Sequence, residues 1–121
     1  MRFLVVDDSS TMRRIIKNAL KANGHADVIE AENGEGAMAQ LQAGPVDLVI
    51  TDWNMPGMNG LELVAAIRGS EALKQVPVLM ITTVAEKDEI LKAMQTGVTN
   101  YLVKPFDPAA LQKKIDQILA G

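Results

Sequence analysis

The chain has 121 residues, a formal net charge of −3, 48% apolar residues and no cysteine. Such a length is one domain, able to bury roughly 65% of its extended-chain surface without disulfide or metal staples. The missing cysteines exclude a disulfide framework or thiolate metal site and fit a reducing cytoplasm, the charge argues against nucleic acid as a partner, and neither a membrane span nor a signal peptide is present.

The elements follow in chain order. Phe3–Val6 is a short apolar run that reads as a strand buried on both faces. It meets two adjacent carboxylates, Asp7 and Asp8, and then Ser9, Ser10 and Thr11, which supply the N-cap of a helix. That helix carries Met12, Ile15, Ile16, Ala19 and Leu20 at i, i+3, i+4, i+7 and i+8, and Asn23-Gly24 ends it. His25, the lone histidine, reads as a solvated loop residue. Val28–Ala31 is a second strand, Ala37–Leu41 a weaker helical stripe, and Ala43-Gly44-Pro45 its end. Val46–Thr51 is a third strand and runs into Asp52. Asn59-Gly60 reads as a loop end before the stripe Leu63, Val64 and Ile67. Val78–Thr82 is the fourth strand. Glu86–Glu89 is the solvated first turn of a helix carrying Ile90, Leu91 and Met94, closed by Thr96-Gly97. Tyr101–Val103 is the fifth strand and leads into Lys104; Leu111, Ile115, Ile118 and Leu119 mark a last helix.

Strands alternating with helices predict the α/β class: a single doubly wound (βα)5 domain over residues 1–121, with a five-stranded parallel sheet covered on both sides, flavodoxin-like. In such sheets, ligands bind beyond the carboxyl ends of the strands. Asp7 and Asp8 follow the first strand, Asp52 the third and Lys104 the fifth, while Thr82 ends the fourth. Singly, each has an ordinary explanation: Asp8 as a helix cap, Asp52 as a turn former before Asn54, Lys104 as cover for the sheet edge. Together they make a site. Crowded carboxylates without histidine or cysteine suit a hard divalent cation, Mg2+, and Lys104 suits a phosphate. Asp52 then becomes a candidate carboxylate nucleophile for phosphoryl chemistry.

The stretches VVDD, TDWNMPGMNG, PVLMITT and YLVKPF, in this order and spacing, resemble the receiver domain of bacterial response regulators. DDSSTMRRIIKN and DWNMPGMNG are especially close to its single-domain chemotaxis members. The resemblance covers essentially the whole chain. It implies that Asp52 accepts a phosphoryl group from a phosphohistidine on a sensor histidine kinase. It also implies that Asp8, Asp52 and the Asn54 backbone carbonyl bind Mg2+ directly, with Asp7 acting through a water. Lys104 and Thr82 would engage the phosphoryl oxygens, Lys104-Pro105 would be a cis peptide, and Tyr101 would move inward as the switch. The implied chain is a monomer with no substrate turnover beyond its own phosphotransfer and dephosphorylation. Its downstream protein binds the face around Tyr101, the flagellar motor switch being one candidate, and a phosphatase resets it.

Three positions depart from the family's pattern. Thr83 is bulkier than the small residue usual after the switch threonine. Val84 stands where the family tunes the lifetime of the phosphoryl group, and its apolar side chain cannot orient an attacking water. Glu86 replaces a basic residue common in motor-binding members, which weakens that partner. Two further readings stand beside this one. A small Mg2+-dependent phosphohydrolase would need a cap or substrate pocket, for which the short loops leave no insertion. A flavin or nucleotide binder would need a glycine-rich loop where DDSS stands. The chain reads as a stand-alone regulator, with the receiver part of a longer regulator as the alternative. Met55 and Met58 near the site read as packing residues, and Trp53, the only tryptophan, as a fluorescent reporter beside Asp52.

Overall fold

The computed structural model describes residues 1–120; Gly121, the last residue of the expected domain, lies outside them. The strands are β1 (Phe3–Val6), β2 (Val28–Ala31), β3 (Leu48–Thr51), β4 (Val78–Thr82) and β5 (Asn100–Val103). The helices are α1 (Ser10–Ala22), α2 (Gly34–Ala43), α3 (Gly60–Arg68), α4 (Lys87–Thr96) and α5 (Pro108–Ala120). The sheet has the order β2-β1-β3-β4-β5 and all its pairs are parallel. The reversal of strand order falls between β1 and β3, where an open sheet of this kind leaves its ligand crevice.

The period-two alternation of the strands splits the core into two layers. Leu4, Val6, Val49, Val78, Met80 and Tyr101 face α2, α3 and α4, meeting Ala37, Leu41, Leu63, Val64, Ile67 and Ala93. Phe3, Val5, Leu48, Ile50, Leu79, Ile81 and Leu102 face the opposite way, onto Ile16, Ala19, Leu20, Leu111 and Ile115 of α1 and α5. Both faces are covered, which is why each strand reads as a continuous apolar run.

Several boundaries and faces differ from the sequence reading. β3 starts at Leu48 rather than Val46, because Asp47 turns back to accept the Arg2 N–H at 2.7 Å. β5 gains Asn100, which pairs with Leu79. Ile15 and Leu119 flank their stripes and stay exposed, at 46% and 49%. In α4 the inward residues are Ala93 and, in part, Ile90, leaving Leu91 and Met94 exposed at 55% and 41%. A helix turns about 100° per residue, so Leu91 lies off the Ile90–Ala93 line. His25 is not a solvated loop residue: its ring packs on Phe3 with centroids 4.7 Å apart, and Nε2 meets Gln112 Oε1 at 2.9 Å. It ties the end of α1 to α5. Among the described residues, no helix is long and apolar enough to cross a membrane.

Candidate functional site

β1, β3 and β5 deliver Asp7, Asp52 and Lys104 to one pole of the sheet. Asp7 extends β1 by one residue, its N–H still bonded to the Ala31 carbonyl at 3.2 Å. Asp52 does the same for β3, bonding the Val6 carbonyl at 3.0 Å. Between Asp7 and α1, Ser9 is the N-cap, its hydroxyl accepting the Met12 N–H at 3.1 Å. That settles the capping alternative for Asp8: the cap is Ser9, and Asp8 remains exposed with its carboxylate free to join the others.

Asp7, Asp8 and Asp52 each bring a carboxylate oxygen within 4.8 Å of the other two. One ammonium opposes them: Lys104 Nζ lies 3.2 Å from Asp7 Oδ2 and 3.4 Å from Asp52 Oδ2. Burial pushes the Asp7 carboxyl above its ordinary range, and Asp52 adds to that; the Ser9 N–H, at 2.9 Å, and Lys104 partly hold it down. A single lysine leaves two negative charges of the cluster unbalanced, at about 4 kcal/mol per contact of 4 Å for an effective dielectric near 20. The residues fit a magnesium ion. Octahedral Mg2+ holds oxygens at about 2.1 Å, so opposite ligands lie about 4.2 Å apart, close to the spread of this donor set.

The remaining expected residues lie on or just beyond β3, β4 and β5. Asn54 sits in the exposed loop two residues past Asp52. Thr82 closes β4, pairs with Val103 and is 1% exposed; its Oγ1 accepts the Val84 N–H at 3.4 Å. The Lys104-Pro105 peptide is cis, as expected. Tyr101 points inward, 8% exposed, and its hydroxyl donates to the Val84 carbonyl at 2.6 Å. Burial first, then Asp52, Glu86 and Glu89, push the phenol from 10.0 up to about 12. A folded-state value above the unfolded one stabilises the fold below pH 10 and is lost as pH rises through about 12. Tyr101 is the only tyrosine, so an alkaline absorbance titration reads it alone. Ionisation near pH 12 is expected; an ordinary value in the folded chain would mean that the ring is out in solvent.

Sequence reasoning missed three supports. Arg13 donates from Nη1 to the Asp7 carbonyl at 2.7 Å and from Nε to Glu30 at 3.1 Å, tying the acid turn to the end of β2. Only its place one turn into α1 hinted at this. The side chain of Val84 marks it in the sequence, yet its carbonyl is what holds Tyr101. Gly60 starts α3 rather than ending a loop: Asn59 and Glu62 form a reciprocal capping box, and the Gly60 N–H bonds the Trp53 carbonyl at 2.8 Å. An S/T/D/N residue followed three positions later by glutamate was the available signal.

Residues 3–116 match the family model described as the response regulator receiver domain. The chemotaxis protein CheY of Pseudomonas aeruginosa is 50% identical over 118 residues, covering 98% of this chain and 95% of that protein. CheY1 of Helicobacter pylori is 52% identical over 120 residues, covering 98% of this chain and 97% of its own. Among solved structures, the Vibrio cholerae chemotaxis protein CheY4 superposes with a TM-score of 0.89 at 36% identity, over 97% of each chain. A putative response regulator from Chloroflexus aurantiacus gives 0.92 at 31% identity, over 99% of this chain and 98% of that one.

Proposed function

This chain belongs to the response regulator receiver family, and from that premise we propose that it is a chemotaxis or motility switch phosphorylated on Asp52. The observation that carries the proposal is the convergence at the ends of β1, β3 and β5: carboxylate oxygens of Asp7, Asp8 and Asp52 lie within 4.8 Å of one another, and Lys104 Nζ lies 3.2 Å from Asp7 and 3.4 Å from Asp52. A carboxylate oxygen of Asp52 attacks the phosphorus of a phosphohistidine on a sensor histidine kinase. The P–N bond breaks, its electron pair stays on the imidazole, and an acyl phosphate forms. Lys104 trades its contact with Asp52 for a phosphoryl oxygen, and Thr82 turns its hydroxyl toward another. Asp8, Asp52 and the Asn54 carbonyl would hold Mg2+, with Asp7 acting through a water, and the bound ion would supply positive charge to the phosphoryl oxygens.

The phosphorylated carboxylate carries close to −2 in place of −1. Drawing Thr82 toward it bears on Val84, whose N–H and carbonyl touch Thr82 and Tyr101 respectively. The inward Tyr101 is thereby favoured, a population shift between two arrangements of one face. That face carries Leu91 and Met94, both exposed, with Lys113 on the outside of α5, and it receives the downstream protein. Relatives named as chemotaxis proteins support that output; Glu86 weighs against the flagellar motor switch as the particular partner.

The test is a magnesium titration followed through Trp53, which is 7% exposed and whose N–H bonds Asp52 Oδ1 at 2.7 Å. A saturable change in fluorescence is expected. Asp8→Ala should weaken the affinity by about tenfold or more, ~1.4 kcal/mol. Unaltered affinity in Asp8→Ala would remove this ligand set.

A further inference from the structure

Beside the carboxylate cluster, the first turn of α2 interlocks with the loop that follows Asp52. A Cβ placed on the buried Gly34 would lie 2.6 Å from Met58 Cγ and 2.7 Å from both its Cβ and its Sδ. Met58 therefore fills the hollow that Gly34 leaves. Because the contact reaches Met58 Cβ, which moves only with its backbone, rotating the side chain would not relieve it. Glu35 adds a second tie, its Oε1 accepting the Met58 N–H at 3.3 Å. Its Oε2 stands 3.0 Å from where a Cβ on Gly57 would lie, and Gly57 itself has φ +73°. On the other side, Asn33 caps α2 by accepting the Gly36 N–H at 2.7 Å, so the turn that receives Met58 is itself fixed. The loop 53–59 is thus seated at its far end on α2, while its near end is Asp52.

We infer that Gly34 and Met58 are positioning residues: their knob-and-hollow contact sets where loop 53–59 lies, and through it the magnesium affinity of the cluster. This rests on the proposed reading in which the Asn54 carbonyl, inside that loop, is a ligand. A closely packed contact transmits displacement instead of absorbing it, and metal affinity depends on the groups that orient the ligands. Glu35 supports the same seat from the exposed side.

The experiment compares the unsubstituted chain with Gly34→Ala, Met58→Gly and the double variant, all at a temperature where circular dichroism shows them folded. Two readouts are taken: amide resonances of residues 53–59 in the metal-free protein, and magnesium affinity through Trp53. Gly34→Ala is expected to shift those amides and weaken affinity about tenfold; Met58→Gly should weaken it about threefold. The double variant, in which no Cβ remains at position 58 and the new methyl group occupies the space Met58 gives up, should return the affinity to within about threefold of the original, the level of Met58→Gly alone. A role in stability alone would not show that rescue. If Gly34→Ala leaves the affinity within about twofold, or the double variant binds no better than Gly34→Ala, the inference is overturned while the phosphoacceptor reading stands. If the unsubstituted chain itself gives no magnesium response, both fall together.

Discussion

Gly60→Ala is expected to destabilise the domain by about 3 kcal/mol, lowering its melting temperature by roughly 12 °C. An added Cβ would lie 2.1 Å from the Asp52 carbonyl oxygen, 2.9 Å from Trp53 Cα and 3.0 Å from the Asp52 carbonyl carbon. All three are backbone atoms, so no side-chain rotation relieves the clash. Either the first turn of α3 moves away, breaking the Gly60 N–H bond to Trp53 and straining the Asn59–Glu62 capping box, or the Asp52 backbone moves. Both routes disturb Asp52, the proposed acceptor. Gly44→Ala is the control: its φ of −175° suits any residue, and the nearest atom to a new Cβ is Arg2 Nη1 at 3.7 Å. It should change stability by no more than about 0.5 kcal/mol. Denaturant unfolding of the two variants gives the comparison. A Gly60→Ala chain as stable as the Gly44→Ala chain would mean that α3 and the end of β3 are not in contact as described.

Most of the fold is legible because each strand is buried on both faces. Phe3–Val6 and Val78–Thr82 need no partner knowledge to be recognised, and their bounds match those observed. Glycine and asparagine punctuation placed the helix ends: Gly24 and Gly97 both have positive φ where the chain leaves α1 and α4. Outward-facing helical residues were harder. Leu91 and Met94 satisfy a helical spacing with Ile90, but spacing alone does not say which edge of an apolar stripe meets the sheet. Burial of the small Ala93 decided it, and a lone alanine carries little weight in an apolar pattern.

The acidic cluster was legible for a different reason. Asp7, Asp8, Asp52 and Lys104 each interrupt an apolar run at a carboxyl end, and parallel strands bring such ends to one pole. Contacts through the main chain left no such trace. Neither the Arg13 grip on the Asp7 carbonyl nor the Tyr101 hold on the Val84 carbonyl depends on the identity of the residue that accepts. The closeness of Gly60 to Asp52 likewise emerges only once α3 has docked. The packing of His25 leaves no local signal because its partners, Phe3 and Gln112, lie far from it in sequence.

Replacing Asp52 by asparagine is expected to remove phosphorylation altogether. The neutral amide keeps the shape of the side chain but has no anionic oxygen to attack phosphorus, and the other carboxylates are engaged elsewhere: Asp7 with Lys104 and the Ser9 N–H, Asp8 at the exposed mouth. Removing one of three crowded negative charges relieves repulsion, so the variant should remain folded and the loss of label should be chemical. Lys104→Ala, by contrast, should slow labelling without moving it, since Lys104 meets Asp52 as a counter-charge and not as the acceptor. The direct measurement is incubation with acetyl phosphate and Mg2+, followed by mass analysis of the intact chain and its peptides. The account predicts one base-labile phosphoryl group, on the peptide containing Asp52, with acetate released as the P–O bond breaks, and none on Asp52→Asn. Stable phosphate on Ser9, Ser10 or Thr82, or undiminished labelling of Asp52→Asn, would contradict it.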